Sequence, residues 1–252
     1  MTEPQPYVQS FYDDRHRQTL YSAERVLECL DPILPDIKSA VDIGCGVGTW
    51  LSVLEARGVT KVQGYEGPWV DESLLQIPVE CFEKRDLTQL IPAPTERFDL
   101  ALSLEVAEHL PPESASTFVE SLTNQADFIV FSAAIPHQGG RHHVNEQWLE
   151  YWLQLFEAHD YIGLDVVRRT LWDDERIQRW YRQNVILVAK RSRVDSLTLP
   201  NSPDALRPLS LVHPRSLEDR IAAYERARTK AQSLSGSWKL FRRAVRRSLK
   251  GA

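Results

Sequence analysis

Cysteine is scarce in this 252-residue chain: its three thiols, Cys29, Cys45 and Cys81, are too scattered for a disulfide frame, and no pair has metal-site spacing. That is the pattern of a reducing compartment and gives the expectation of a cytoplasmic protein. Long apolar runs are also missing. No stretch approaches the ~20 residues that a membrane span needs, and the opening Met-Thr-Glu-Pro-Gln-Pro lacks the apolar centre of a signal peptide. There is no basic excess. The formal net charge of −5 leaves the chain as a whole without a nucleic-acid footprint, so no nucleic-acid partner is expected. No internal repeat is found. The chain is long enough for one generous domain with an appendage.

The most informative stretch is Asp42-Ile43-Gly44-Cys45-Gly46-Val47-Gly48. An apolar run over 40–43 reads as a buried strand, three glycines spaced by two form a turn, and helical spacing follows over 49–57. Glycine permits a sharp turn and lets a ligand approach where a Cβ would stand. Strand, glycine turn and helix N-terminus together form a nucleotide-binding corner. Further along, strands are expected at 61–65, 79–82, 98–104, 127–133, 162–167 and 185–189. Helices are expected at 16–30, from 111 to 122 and at 146–158. Strands that alternate with helices and run as continuous apolar segments imply a mostly parallel sheet covered on both faces. Ligands then bind beyond the carboxyl ends of the strands, just after residues 43, 65, 83, 104 and 133.

The glycine stretch resembles motif I of the class I S-adenosylmethionine-dependent methyltransferases. A dinucleotide fingerprint would be Gly-x-Gly-x-x-Gly, and counting from Gly44 its last glycine falls on Thr49, which disfavours a nicotinamide-dependent oxidoreductase. The resemblance implies a Rossmann-like three-layer α/β sandwich with a mostly parallel seven-stranded sheet and helices on both faces. It also implies S-adenosyl-L-methionine as cofactor. Asp42, Gly44, Cys45 and Gly46 then surround the amino-acid end. Glu66 and Gly67 follow the second strand, where an acid accepts from ribose hydroxyls. Asp86 and Leu87 take the adenine, and Leu104 and Glu105, at the end of Phe98–Glu105, form the floor near the reacting methyl.

Two histidine-bearing stretches follow strands four and five. Glu105-Val-Ala-Glu108-His109-Leu resembles a run found in many small-molecule methyltransferases of this class, and His109 is one candidate general base. Residues 133–148 hold His137, His142, His143, Asn145, Glu146 and Gln147 in a loop shaped by Pro136 and a glycine pair. His143 is the second candidate base. His137, Asn145, Glu146, Gln147 and, further on, Arg182 suit the binding of a polyol or sugar. His137, His142, His143 and Glu146 can also supply metal ligands. Adjacent histidines rarely share an ion and no His-x-x-x-His lies on a helix, so no metal is assigned.

These runs together resemble a bacterial methyltransferase subfamily associated with surface-glycan and secondary-metabolite genes, over about residues 8–190. The expected activity is methyl transfer to a small-molecule or sugar hydroxyl. N- or C-methylation of a metabolite and a non-catalytic scaffold are the alternatives. The domain is expected over 1–192, a Pro- and Ser-rich linker over 193–216 and a helical, basic amphipathic tail over 217–252. Such a helix can lie on an anionic membrane surface, giving peripheral contact at the inner membrane face. It can equally pack on its own domain or on a partner chain.

Overall fold

The computed structural model describes residues 9–232 together with Trp238 and Arg242. The chain opens with helix α1 (Gln9–Leu30) and then alternates strand and helix: β1 (Ser39–Ile43), α2 (Thr49–Ala56), β2 (Lys61–Glu66), β3 (Phe82–Lys84), β4 (Leu100–Leu104), α3 (Ala115–Gln125), β5 (Phe128–Ser132), α4 (Leu149–Glu157), β6 (Tyr161–Leu164), α5 (Arg168–Leu171), α6 (Arg179–Asn184) and β7 (Ile186–Lys190). The seven strands form one sheet in the order β3-β2-β1-β4-β5-β7-β6. All neighbours pair in parallel except β7, which runs antiparallel to both β5 and β6. This is the expected three-layer, Rossmann-like methyltransferase architecture.

Alternation along each strand decides which layer it feeds. Ala40 of β1 and Val130 of β5 point into a core with Val26, Leu27 and Leu30 of α1 and Trp50, Leu51 and Leu54 of α2. Their neighbours Val41, Ile43, Ile129 and Phe131 point the other way, onto Phe118 and Leu122 of α3 and Trp152 and Phe156 of α4. Both faces of the central strands are therefore dry, which is why these strands read as unbroken apolar runs.

The expected third strand at 79–82 is displaced. Val79–Cys81 is a turn of 3-10 helix and the strand is Phe82–Lys84. Pro78 starts that turn, and only the edge of the sheet next to β2 remains to be paired. The helix expected from 111 begins as a 3-10 turn over Pro112–Ser114 and becomes α-helical at Ala115.

One compact unit extends to Leu211 and a second begins at Val212. Within the first, part of the stretch expected as a linker is packed. Val194, Leu197 and Leu206 are buried, the Thr198 N–H donates to the Ile33 carbonyl, and the Asp165 N–H donates to that of Leu206. The second unit contains helix α7 (Pro214–Gln232). Apart from Trp238 and Arg242, the basic tail beyond Gln232 lies outside the described residues. No described helix is long and apolar enough to cross a membrane.

Candidate functional site

The glycine corner sits at the carboxyl end of β1. Gly44 and Gly46 have φ of 92° and 56°, in the region that a side chain disfavours. A Cβ on Gly44 would stand 2.3 Å from a methyl of Val106, so the loop after β4 closes one side of the corner. At Gly46 nothing lies within 4 Å of the Cβ position, so that side is open to a ligand. Gly48 caps the start of α2 and offers no side-chain acceptor, so the helix's first N–H groups have no side-chain cap. Residue His16 of α1, which sequence reasoning missed, reaches the corner and pairs through Nδ1 with the Thr49 hydroxyl at 2.9 Å.

Glu66, at the end of β2, lies under this loop. One carboxylate oxygen accepts from the Gly46 N–H at 3.0 Å and the other from the Gly67 N–H at 2.8 Å. Each oxygen keeps acceptor capacity for a hydroxyl. Burial raises the Glu66 carboxyl, and the two N–H groups oppose that rise. Asp42 is buried, and burial with repulsion from Glu66 pushes its carboxyl well above the ordinary carboxylate range. Burial beside these two acids likewise pushes the Cys45 thiol up. A buried acid and a half-buried one, with no basic partner among the described residues, at an open glycine face fit a cationic nucleoside such as S-adenosylmethionine. Asp86 is exposed beyond β3, where it accepts from the Thr88 N–H and hydroxyl at 2.9 and 2.6 Å, while Leu87 is buried beside it.

The second half of the site lies beyond β4 and β5. Glu105 follows β4 with a φ of 58°, a left-handed conformation that is costly without glycine. Its N–H donates to the Ser132 carbonyl and hydroxyl. Its carboxylate accepts from Gln138 at 2.7 Å and Asn184 at 3.0 Å, tying β4 to the loop after β5 and to α6. Three of the four left-handed non-glycine residues among those described, Glu105, His137 and His142, belong to this region.

Residues Ala107–His109 form a 3-10 turn. The carbonyl of Glu108 accepts from the N–H groups of both Val144 and Asn145, clamping the two histidine loops together. The rings of His109 and His143 meet edge to face, with centroids 4.8 Å apart. His143 pairs through Nδ1 with Glu146 at 2.9 Å, and Glu146 also accepts from the N–H groups of Gly139 and His137 at 2.6 and 2.8 Å. Burial acts to raise the Glu146 carboxyl, but the His143 bond and these N–H groups hold it below its ordinary value. A carboxylate only accepts, so Nδ1 of a neutral His143 carries the proton and Nε2 holds the lone pair.

Thus the structure brings Asp42, Gly44, Cys45, Gly46, Glu66 and Gly67 into one corner. It places Glu105, His109, His143 and Glu146 together beyond the neighbouring strands. Leu104 is buried at the end of β4. Asn145 is buried, its side-chain carbonyl accepting from Gln147 at 2.9 Å. Arg182 is buried on α6 and donates to the Trp172 carbonyl, so its charge helps hold the preceding segment. Gln138 and Asn184 were not singled out as partners of Glu105, because the contacts span 33 and 79 residues. The His137, His142, His143 and Glu146 set does not gather. Among the described residues the imidazoles and carboxylate that do gather are Glu108, His109 and His143.

A family model described as methyltransferase domain matches residues 14–171. Among solved structures, the fold is similar to a magnesium protoporphyrin IX methyltransferase from Synechocystis PCC 6803 with bound S-adenosylhomocysteine. That match has 20% identity and a TM-score of 0.51, covering 75% of this chain and 90% of that one. It is similar to an amino pentose methyltransferase from Micromonospora echinaspora involved in calicheamicin biosynthesis, at 13% identity and a TM-score of 0.51, over 75% of this chain and 100% of the other. A sugar N-methyltransferase from Streptoalloteichus sp ATCC 53650 matches at 12% identity with a TM-score of 0.56, over 76% and 96%. Comparison with curated proteins found no match.

Proposed function

The chain belongs to the methyltransferase-domain family and is a class I S-adenosylmethionine-dependent methyltransferase, and from that premise we propose that it methylates a hydroxyl of a sugar or other small molecule. The scaffold alternative drops out with the family assignment. Asp42 and the Gly44–Gly46 turn are assigned to the amino-acid end of the cofactor, Glu66 with Gly67 to the ribose, and Asp86 with Leu87 to the adenine. Leu104 and Glu105 are assigned to the floor beneath the methyl. Bound there, the cofactor would supply a methyl carbon activated by a sulfonium leaving group.

The chain's own task is to align the acceptor and manage one proton. The observation that carries the hydroxyl reading is the Glu146–His143 pair beside His109. An imidazole whose Nδ1–H is fixed by a carboxylate presents Nε2 as a base, which a hydroxyl acceptor needs. An amine acceptor arrives with its own lone pair once neutral. His137, Asn145, Glu146 and Gln147 are assigned to the acceptor's polar groups. One structural neighbour is named an amino pentose methyltransferase and another a sugar N-methyltransferase, which agrees with a sugar acceptor and keeps N-methylation as the second reading. Peripheral contact of the basic tail with the inner membrane face would suit a lipid-linked acceptor, and co-sedimentation with anionic vesicles tests it.

The central test has two steps. Calorimetric titration with S-adenosylmethionine is expected to show one site per chain. Extracts incubated with methyl-labelled cofactor then yield the acceptor, on which His109→Ala and His143→Ala are assayed. Loss of at least one histidine is expected to lower turnover about 10²-fold or more. Full turnover in both variants would refute the base assignment.

A further inference from the structure

Glu108 is the one carboxylate near the site that the reading above leaves without a task. Its side chain is fully buried, and neither oxygen accepts a hydrogen bond of ordinary geometry. A buried carboxylate in this position calls for a proton or a cation. No lysine or arginine pairs with it among the described residues. The group nearest in kind is an imidazole: His143 Nε2 lies 4.0 Å from a Glu108 oxygen.

We propose that Glu108, His109 and His143 bind a divalent transition-metal ion. One ligand atom from each gathers so that all three lie within 4.8 Å of one another. Zinc–ligand bonds are about 2.0–2.2 Å, so the three atoms would draw in by about an ångström on binding. The donor set is two imidazoles and a carboxylate with no thiolate, which suits Zn²⁺, Mn²⁺ or Fe²⁺ over soft ions. Three protein ligands leave a coordination position open.

The surroundings of His143 are those of a ligand histidine. Its Nδ1–H is committed to Glu146, which is itself held by two backbone N–H groups, and this fixes Nε2 as the free donor toward Glu108. Gly140 lies against the same ring, where a Cβ would come within 2.0 Å of Nε2. Glu146 is thus a positioning residue for the ion, acting through His143.

The inference rests on the reading that His109 and His143 face the acceptor, and it changes how they serve it. An ion held there would make a hydroxyl brought to it more acidic, as zinc does for water. The O–H bond then breaks with its proton passing to solvent water, and no side-chain base is required.

The test uses the full chain freed of metal with a chelator. Uptake of Mn²⁺ is followed by loss of the free-ion electron paramagnetic resonance signal, and uptake of Zn²⁺ by calorimetry. One ion per chain is expected for at least one of the two. Glu108→Gln keeps the shape of the side chain and is expected to abolish that uptake while the variant melts as cooperatively as the metal-free parent. Glu146→Gln is expected to weaken uptake about 10- to 100-fold, the effect of losing a partner that orients a ligand histidine. No stoichiometric uptake of either ion, or uptake unchanged in Glu108→Gln, overturns the metal site. S-adenosylmethionine titrated into the same samples keeps the two readings apart. If the cofactor binds and the ions do not, only the metal inference fails, whereas a chain that binds ions but not cofactor refutes the assigned cofactor corner.

Discussion

At the scale of single residues, Asp42 and Glu66 show a site built against its own stability. Both are acids in a partly dry corner, and Asp42 is raised well above its ordinary 3.8 by burial and by Glu66. A carboxyl raised on folding contributes stability that is complete below the unfolded value and is lost as pH climbs through the folded one. The cofactor-free chain should therefore lose stability from this group as pH rises above about 4. Asp42→Asn should flatten that slope, raise the melting temperature of the free chain at neutral pH and weaken S-adenosylmethionine about tenfold or more, the worth of a charge-assisted bond. Thermal melts across pH with cofactor titrations check both halves, and unchanged affinity would remove Asp42 from the cofactor site. Glu66→Ala acts differently. It leaves the N–H groups of Gly46 and Gly67 without their acceptor, at about 1–3 kcal/mol for each one left buried and unpaired. Both stability and cofactor affinity should fall in that variant.

At the scale of elements, the site depends on how loops are pinned to one another. Gly140→Ala would set a methyl against an imidazole already fixed by Glu146, so the ring or the loop must shift. The expected result is turnover lowered at least tenfold with cofactor affinity unchanged, because the loop is the one assigned to the acceptor rather than to the cofactor. Equal losses in both would place the loop's effect on the whole fold. A second pin joins α1 to the segment before α6. Asp174 accepts from Arg176 and from the Tyr21 hydroxyl, the latter at 2.8 Å. These bonds, Arg176 foremost, hold its carboxyl far below the ordinary 3.8. A lowered carboxyl contributes stability above its unfolded value that drains away as pH falls toward the folded one. Asp174→Asn should therefore make the chain less stable at neutral pH and less sensitive to acid below about pH 4, measured by denaturant melts at several pH values.

At the scale of the whole molecule, the first compact unit reaches Leu211, beyond the apparent end of the domain at 192. Removing everything after residue 192 would strip Val194, Leu197 and Leu206 from the core and expose what they cover. At roughly 1.5–3 kcal/mol per fully buried aliphatic side chain, that loss rivals the whole stability of a domain. A chain ending at Leu211 should fold and bind S-adenosylmethionine, and one ending at residue 192 should aggregate or melt far lower. Identical melts for the two would show that the segment adds nothing.

Local chemistry was legible wherever it is written in consecutive residues. The Asp42–Gly48 turn, the acid closing β2 and the apolar strands are each dictated by neighbours a few positions apart, so the fold and the glycine corner were legible in the chain alone. The displaced third strand was not, because Val79–Phe82 is apolar enough for either state and the pairing edge of β2 decided between them. The segment over 193–216 looked like a linker because its prolines and serines mask three buried side chains, Val194, Leu197 and Leu206, whose partners are distant in sequence. The burial of Arg182 and its bond to the Trp172 carbonyl were hidden for the same reason, since only its residue type is visible in the sequence. Only the folded chain could show that Glu108 lies dry beside two imidazoles, or that Asn184 answers Glu105 across 79 residues. Sequence determines what each segment wants to bury and where the chain can turn. Which polar groups end up facing one another out of water depends on the packing of layers, and that is where the cluster around Glu105, Glu108, His109 and His143 was decided.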